Sequence, residues 1–202
     1  GARVFDHRVL QRLAGAATVP VVNLLSDATH PSQDLADLHT LRQRFGPDLT
    51  GRTLAYVGDG NNVCRSLMTA GALAGLAVRV ATPAGYEPPA DVVARTGTLL
   101  TTDPAEAVKD ADAVYTDVWA SMGQEEEADR RRRDFAGFQV DDALLAAAAP
   151  TAVFLHCLPA HRGEEVAASV VDGPQSMVWQ QAANRLHAQR GLLLWLSQQA
   201  NP

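Results

Sequence analysis

The chain has 202 residues, 47% hydrophobic and 20% charged, a balance that excludes dominant disorder and leaves enough apolar surface for a proper core. Seventeen basic against 23 acidic residues give a formal net charge of −6, which argues against nucleic acid or an anionic membrane as the main partner. The two cysteines, Cys64 and Cys157, are too few for a disulfide framework and fit a reducing, cytoplasmic setting, and no apolar run is long enough to span a bilayer. The opening residues do not read as a secretory leader.

Short β-rich runs alternate with helical patterns along the chain. Residues 19–24 (VPVVNL) read as a buried strand. Pro31 suits a first helical turn, and Leu35, Leu38 and Leu41 follow at helical spacing up to Phe45, where Gly46-Pro47 ends the helix. Thr53 to Val57 is a strand that runs into Gly58-Asp59-Gly60-Asn61-Asn62, and residues 63–74 form a helix with small residues. Strands are expected over 77–81, 98–101, 113–116 and 153–155, with helices after Asp103-Pro104, over 143–149 and over 180–198. Strand–helix alternation at this spacing predicts a three-layer α/β fold: a mainly parallel sheet of about five strands with helices on both faces. Ligands of such sheets bind beyond the carboxyl ends of the strands. The polar clusters 23–30, 58–62, 117–122 and 156–159 all follow predicted strands.

Several motifs admit more than one reading. Gly58-Asp59-Gly60-Asn61-Asn62 between a strand and a helix looks like a dinucleotide fingerprint, but Val63 stands at the third small position and the next strand ends in Ala81-Thr82-Pro83 without an acid. The other readings are a tight turn without a ligand and a pair of asparagines addressing a small zwitterion. His156-Cys157 with His161 invites a metal, yet adjacent strand residues face opposite sides and no second ligand pair is present, so no metal is expected. Glu125-Glu126-Glu127 before Arg130-Arg131-Arg132-Arg133 predicts a solvated helix face with Glu126–Arg130 and Glu127–Arg131 pairs.

Taken together, five motifs resemble the ornithine carbamoyltransferase family: His30-Pro31-Ser32-Gln33, Gly58-Asp59-Gly60-Asn61-Asn62, Asp117-Val118-Trp119-Ala120-Ser121-Met122-Gly123, His156-Cys157-Leu158-Pro159 and Asn184-Arg185. The resemblance extends from near Ala2 to about Gln198, and the Ser-Met-Gly loop is similar to the ornithine-using branch. Ser32 stands where the family often has Cys or Thr, and Ala183 where Glu often precedes Asn-Arg. The resemblance implies a Rossmann-like ornithine-binding domain over residues 1–180, and a C-terminal helix, 181–202, that packs on the family's first domain. That first domain, with its Ser-Thr-Arg-Thr phosphate grip, is expected to be absent, so the chain reads as a fragment or separate domain of a longer enzyme.

The family transfers a carbamoyl group from carbamoyl phosphate to the δ-amine of ornithine, giving citrulline and phosphate, as a step of arginine biosynthesis or of a urea-cycle type. By resemblance, Asn62, Asp117, Ser121 and Met122 hold the α-amino and α-carboxylate groups of ornithine. Cys157 and the Leu158 carbonyl face its δ-amine, with Cys157 assisting deprotonation. His30, Gln33 and Arg185 address the carbamoyl group, and Arg185 stabilises the oxyanion. No cofactor or metal is implied, and the full-length enzyme is expected to be a homotrimer or a multiple of one. The readings that stay open are a carbamoyltransferase for a related amine, a dinucleotide-dependent enzyme, and a non-catalytic amino-acid-binding domain of the same fold.

Overall fold

The computed structural model describes residues 1–120 and 127–200. Its main sheet has five parallel strands in the order β5-β4-β3-β6-β7: β3 (Thr53–Val57), β4 (Ala77–Ala81), β5 (Leu99–Thr101), β6 (Ala113–Thr116) and β7 (Val153–His156). Successive side chains of a strand face opposite ways, and the core divides accordingly. Leu54 and Tyr56 of β3, with Val80, Tyr115 and Leu155, pack on one side against α2 (Pro31–Phe45) and α3 (Asn62–Leu73) through Leu41, Val63, Leu67 and Met68. Ala55 and Val57, with Val114 and Phe154, pack on the other side against Phe135, Phe138, Leu145 and Val170. These lie at the end of α6 (Ala128–Asp134) and in the turn after it, in α7 (Asp142–Ala146) and in α8 (Ala168–Val171).

Most predicted elements fall where expected, because they carry complete local signals. Pro31 opens α2, and the Gly46 N–H, at φ 102°, closes on the Arg42 carbonyl. Asp103 caps α5 (Pro104–Val108) by accepting from the Ala105 N–H at 2.9 Å. The buried strand expected over 19–24 is instead shorter, shifted and not buried: β2 (Asn23–Leu25), with Leu24 exposed, pairs in parallel with β1 (Ala2–Arg3) in a separate two-stranded sheet. The helix expected over 143–149 is α7, which stops at Ala146. Three helices were not predicted: α1 (His7–Ala16), α4 (Ala90–Thr96) and α8. Two of them bury a single side chain, Leu10 in α1 and Val92 in α4, and α8 is only four residues long; α1 does carry an apolar period in Val9, Leu10 and Leu13, which sequence reading overlooked.

The terminal helix α9 (Val178–Ala200) docks on α2 through a polar seam. Gln180 donates to Gln43 at 2.8 Å, Gln181 to Asp37 at 2.6 Å, Asn184 to Thr40 at 2.8 Å and Gln189 to the Ser32 carbonyl at 2.8 Å. The apolar run at its far end is largely uncovered, with Leu193, Leu194 and Trp195 exposed by 62%, 61% and 55%. A contiguous apolar surface of this kind favours association. We therefore expect light scattering of the purified chain to show concentration-dependent dimers or larger species, and Leu194→Glu with Trp195→Glu to return it to monomer. A wild-type chain that stays monomeric at high concentration contradicts this.

Arg131 departs from the expected wet helix face. The Glu127–Arg131 pair forms at 3.3 Å, but Arg131 is only 6% exposed and also reaches Asp59 and the Trp119 carbonyl, at 2.7 and 2.8 Å. Its guanidinium lies 5.0 Å from the Tyr86 ring centroid. The Glu126 of the other expected pair lies outside the described residues.

Candidate active site

The strand order creates the site. After β3 the chain moves outward to β4 and β5, then returns to add β6 and β7 on the other side, so the connections leaving β3 and β6 diverge in a crevice at the sheet's carboxyl edge. The segments that leave β3, β6 and β7 therefore lie side by side, with Asp117 in the middle. Asn61 donates to Asp117 Oδ2 at 2.8 Å from one flank, and the Cys157 thiol donates to Oδ1 at 2.9 Å from the other. The Val118 N–H also donates to Oδ1, at 2.8 Å, and Asp117 is 5% exposed. Burial and the neighbouring Asp117 charge push the Cys157 thiol well above its ordinary pKa, so it stays protonated at neutral pH.

The glycine-rich turn does not have the form of a phosphate cradle. Asn61 caps α3, its Oδ1 accepting from the Val63 and Cys64 N–H groups at 3.0 Å each, so those donors are already satisfied. Gly60 is required because its own chain passes close by: an added Cβ would lie 2.5 Å from the Tyr86 carbonyl oxygen and 2.3 Å from the Pro88 nitrogen. The expected Asn62 contact is partly committed, since its Nδ2 donates to the Ser26 carbonyl at 2.7 Å.

On the α2 side, His30 precedes the first turn and is 5% exposed. Its N–H donates to Ser66 Oγ of α3 at 2.7 Å, and its Nδ1 lies 3.2 Å from Ser32 Oγ. Burial, reinforced by Arg185 and Arg3, pushes its pKa down to about 4, so the ring is neutral at pH 7. Gln33 is 1% exposed, donates to Asp37 Oδ1 at 2.8 Å and accepts from Arg185 Nη1 of α9. Asp37 is fully buried, and that burial raises its pKa to about 6, against the hydrogen bonds from Gln181 and Gln33 that favour the charged form. Burial and the neighbouring Asp37 also raise the Asp34 carboxyl well above its usual range.

His30 gives a pH prediction with a definite sign. Its folded pKa, about 4, lies below the unfolded value of 6.5, so the unfolded chain binds the extra proton first. Its neutral burial contributes fully above pH 6.5 and is lost as the pH falls through 4, to a total of about 3 kcal/mol. Asp34 and Asp37 act in the opposite direction, so the test is a difference. Urea unfolding of wild type and His30→Asn should converge in stability as the pH falls from 6.5 to 4. Parallel curves contradict the assignment.

At the end of β7, His156 is 1% exposed, and it shapes the following turn. Its Nδ1 accepts from the Leu158 N–H at 2.9 Å and its Nε2 faces Glu165 Oε1 at 3.2 Å. Leu158 sits at φ 59°, a conformation costing a leucine on the order of 1–2 kcal/mol, and the His156 bond holds it there. Against the expectation that residues 156 and 157 face apart, each offers a ligand-type atom within 4.8 Å of the other and of Asp117. Those atoms already hold protein partners: both His156 nitrogens are engaged and the Cys157 thiol is donated to Asp117.

The structure joins Cys157 to Asp117 and Arg185 to Gln33 by hydrogen bonds and brings the charges of Arg185 and Asp117 to bear on His30, while Ser121 and Met122 lie outside the described residues. Sequence reasoning missed Asn61, Asp37, Gln181 and Glu165. Asp37 left a legible signal, an acid four residues after Gln33 and so on the same helix face. Gln181 left none, because its partners are far away in sequence.

Comparison with known proteins places this geometry. Residues 50–196 match the sequence model described as aspartate/ornithine carbamoyltransferase, Asp/Orn binding domain. Residues 1–43 match the aspartate/ornithine carbamoyltransferase, carbamoyl-P binding domain, so the expectation that this first domain is wholly absent is corrected: a stretch of it, including α1 and most of α2, is present. An ornithine carbamoyltransferase from Acidothermus cellulolyticus is 59% identical over 203 residues, covering 96% of this chain and 65% of that protein. An anabolic one from Pyrococcus furiosus is 54% identical over 201 residues, covering 95% and 64%. The crystal structure of the Thermus thermophilus ornithine carbamoyltransferase superposes with a TM-score of 0.90 at 53% identity, over 96% of this chain and 65% of that one. The chain spans about 65% of the length of these curated relatives. With the Asp/Orn-binding match covering the whole main sheet and the carbamoyl-P match ending within the helix that carries Gln33, this chain belongs to the aspartate/ornithine carbamoyltransferase family.

Proposed function

We propose that the chain provides the ornithine site, and His30, Gln33 and Arg185 of the carbamoyl-phosphate site, of an enzyme that carbamoylates the δ-amine of L-ornithine to give L-citrulline and phosphate. The observation that carries this reading is the buried carboxylate of Asp117, in the crevice between diverging connections, with Asn61 and Cys157 on its flanks. A carboxylate there is the natural partner of an amino-acid ammonium group, and Asn62 and nearby backbone N–H groups suit the carboxylate end. Ser121 and Met122 join them on the strength of the motif. Because the Cys157 thiol is held protonated, its role is a neutral contact with the δ-amine, beside the Leu158 carbonyl, rather than that of a base. The Arg185 guanidinium, aimed by Gln33, takes the oxyanion of the tetrahedral intermediate. The leaving group is already activated as a phosphate, so the step needs no cofactor. The anabolic name of the Pyrococcus relative supports a role in arginine biosynthesis. A cytoplasmic setting and assembly as a homotrimer or its multiple belong to the same reading, and no described helix is long and apolar enough to cross a membrane.

Colorimetric citrulline assays at saturating ornithine and carbamoyl phosphate test the proposal. The 202-residue chain by itself is expected to give no citrulline above background and to bind ornithine at about millimolar affinity. Without the remaining length of the relatives, the phosphate lacks its cations and the intermediate forms in open water. The same chain grafted into the Acidothermus enzyme, in place of the segment it matches, is expected to restore turnover. A folded graft that carbamoylates lysine or putrescine but not ornithine establishes a related amine as substrate. A folded graft active on none of these overturns the assignment.

A further inference from the structure

We propose that Asp37 is a positioning residue for the reaction: its buried Oδ1 is the common acceptor that fixes the amides of Gln33 and Gln181, and through Gln33 it aims Arg185. The inference rests on the carbamoyl-transfer reading above and goes beyond its substrate contacts. Asp37 lies inside the fold, on the interior face of α2, where it is 0% exposed. Gln33 Nε2 donates to Oδ1 at 2.8 Å and Gln181 Nε2 donates to the same atom at 2.6 Å.

Donor and acceptor chemistry makes the arrangement directional. A guanidinium can only donate, so the Gln33 atom facing Arg185 must be its oxygen. The opposite end of that amide is then its NH2, which needs an acceptor, and Asp37 provides it. Gln181 repeats the pattern. Its Oε1 accepts from the His156 N–H at 3.0 Å, a group that can only donate, and its NH2 turns to Asp37, with the Tyr115 hydroxyl 3.2 Å away. One oxygen thus sets the orientation of two buried amides. One amide ends at Arg185 and the other at the strand end that leads into Cys157. The His156 end is also held by β6–β7 pairing, Thr116 opposite His156, whereas the described structure gives the Arg185 guanidinium no side-chain partner other than Gln33. The functional consequence therefore falls on Arg185.

The test uses Asp37→Leu, which removes the acceptor, and Asp37→Asn, whose side-chain oxygen can still accept from both amides. Thr40→Val serves as the structural control, because Thr40 joins α2 to α9 through Asn184 without touching Gln33 or Arg185. In the intact chain, the side-chain NH2 resonances of Gln33 and Gln181 should be slow to exchange in wild type, Thr40→Val and Asp37→Asn, and fast or shifted in Asp37→Leu. In the active graft, Asp37→Leu should lower kcat by about 10²-fold with the ornithine KM changed less than about threefold, since a misplacement of about 1 Å has that effect on turnover. Asp37→Asn should restore kcat to within about threefold of wild type. If Asp37→Leu leaves the Gln33 resonance unchanged, or if Thr40→Val lowers kcat as much at equal loss of stability, Asp37 is only a docking residue and the inference fails. If the wild-type graft makes no citrulline, the functional reading fails and the resonances alone still decide whether Asp37 fixes the two amides. Should Asp37→Leu prove unfolded, Gln33→Leu and Gln33→Glu in the folded graft carry the same question, with loss of kcat in both expected and a wild-type kcat in Gln33→Leu overturning the proposal.

Discussion

Replacing Arg185 by alanine in the graft lowers citrulline formation by roughly 10²–10³-fold, the usual effect of losing one oxyanion donor. Arg185 is half-buried on α9, and its described side-chain hydrogen bond runs from Nη1 to Gln33 Oε1, which leaves the other guanidinium N–H groups without a side-chain partner among the described residues. The fold should barely notice the change, because Gln180, Gln181, Asn184 and Gln189 still tie α9 to α2 and its loop. Lysine at this position keeps the charge but not the planar fork, so Arg185→Lys should recover only a small part of the rate. Steady-state turnover of both variants, with thermal unfolding alongside, checks this. Near-normal turnover in Arg185→Ala would mean the residue is a helix–helix contact and nothing more.

Asp117→Asn should raise the KM for ornithine by about 10–150-fold and leave the KM for carbamoyl phosphate near wild type, as expected for the loss of a charge-assisted hydrogen bond of about 1.5–3 kcal/mol. The structure adds a second expectation. Both carboxylate oxygens accept: Oδ2 from Asn61, Oδ1 from the Val118 N–H and the Cys157 thiol. An asparagine amide in either orientation turns an NH2 towards one of those donors. Some stability is therefore lost as well, on the order of 1–3 kcal/mol. Varying each substrate in turn separates the two effects, because a stability loss alone does not discriminate between substrates. Equal changes in both KM values contradict the ornithine assignment.

Much of this site was readable in the linear sequence, and particular residues show why. His30-Pro31, Gly58 to Asn62, Asp117 and His156-Cys157 each sit where a strand or a turn meets a helix or loop, and such positions announce themselves through prolines, glycines and caps. The resemblance named Asn62, and the structure adds its neighbour: Asn61 both caps α3 and donates to Asp117. A cap and a ligand contact use the same side-chain chemistry, so sequence cannot divide the roles between neighbours. The charge run shows a sharper miss. Glu127 and Arg131 have the spacing of a surface pair, yet Arg131 is drawn inward because Asp59, 72 positions away, needs a partner in the crevice.

The last helix marks the boundary between the two kinds of information. Its length, its position and the apolar run from Leu192 to Leu196 are determined by the sequence, since helix propensity and composition act over a few residues. The face it buries is not. The docked stripe consists of Gln181, Asn184 and Arg185, which hydropathy reads as exposed, while Leu193, Leu194 and Trp195 lie in solvent. The sequence by itself therefore determined a parallel α/β domain, its strand ends and the chemical types gathered there. Only the tertiary structure decided that Asp37 joins Gln33 to Gln181, that Arg185 is aimed through Gln33, and that Asp117 stands between Asn61 and Cys157. The physical reason is that a polar side chain is buried only when its partners are, and the partners of these residues come from other strands and helices, up to 152 positions away along the chain.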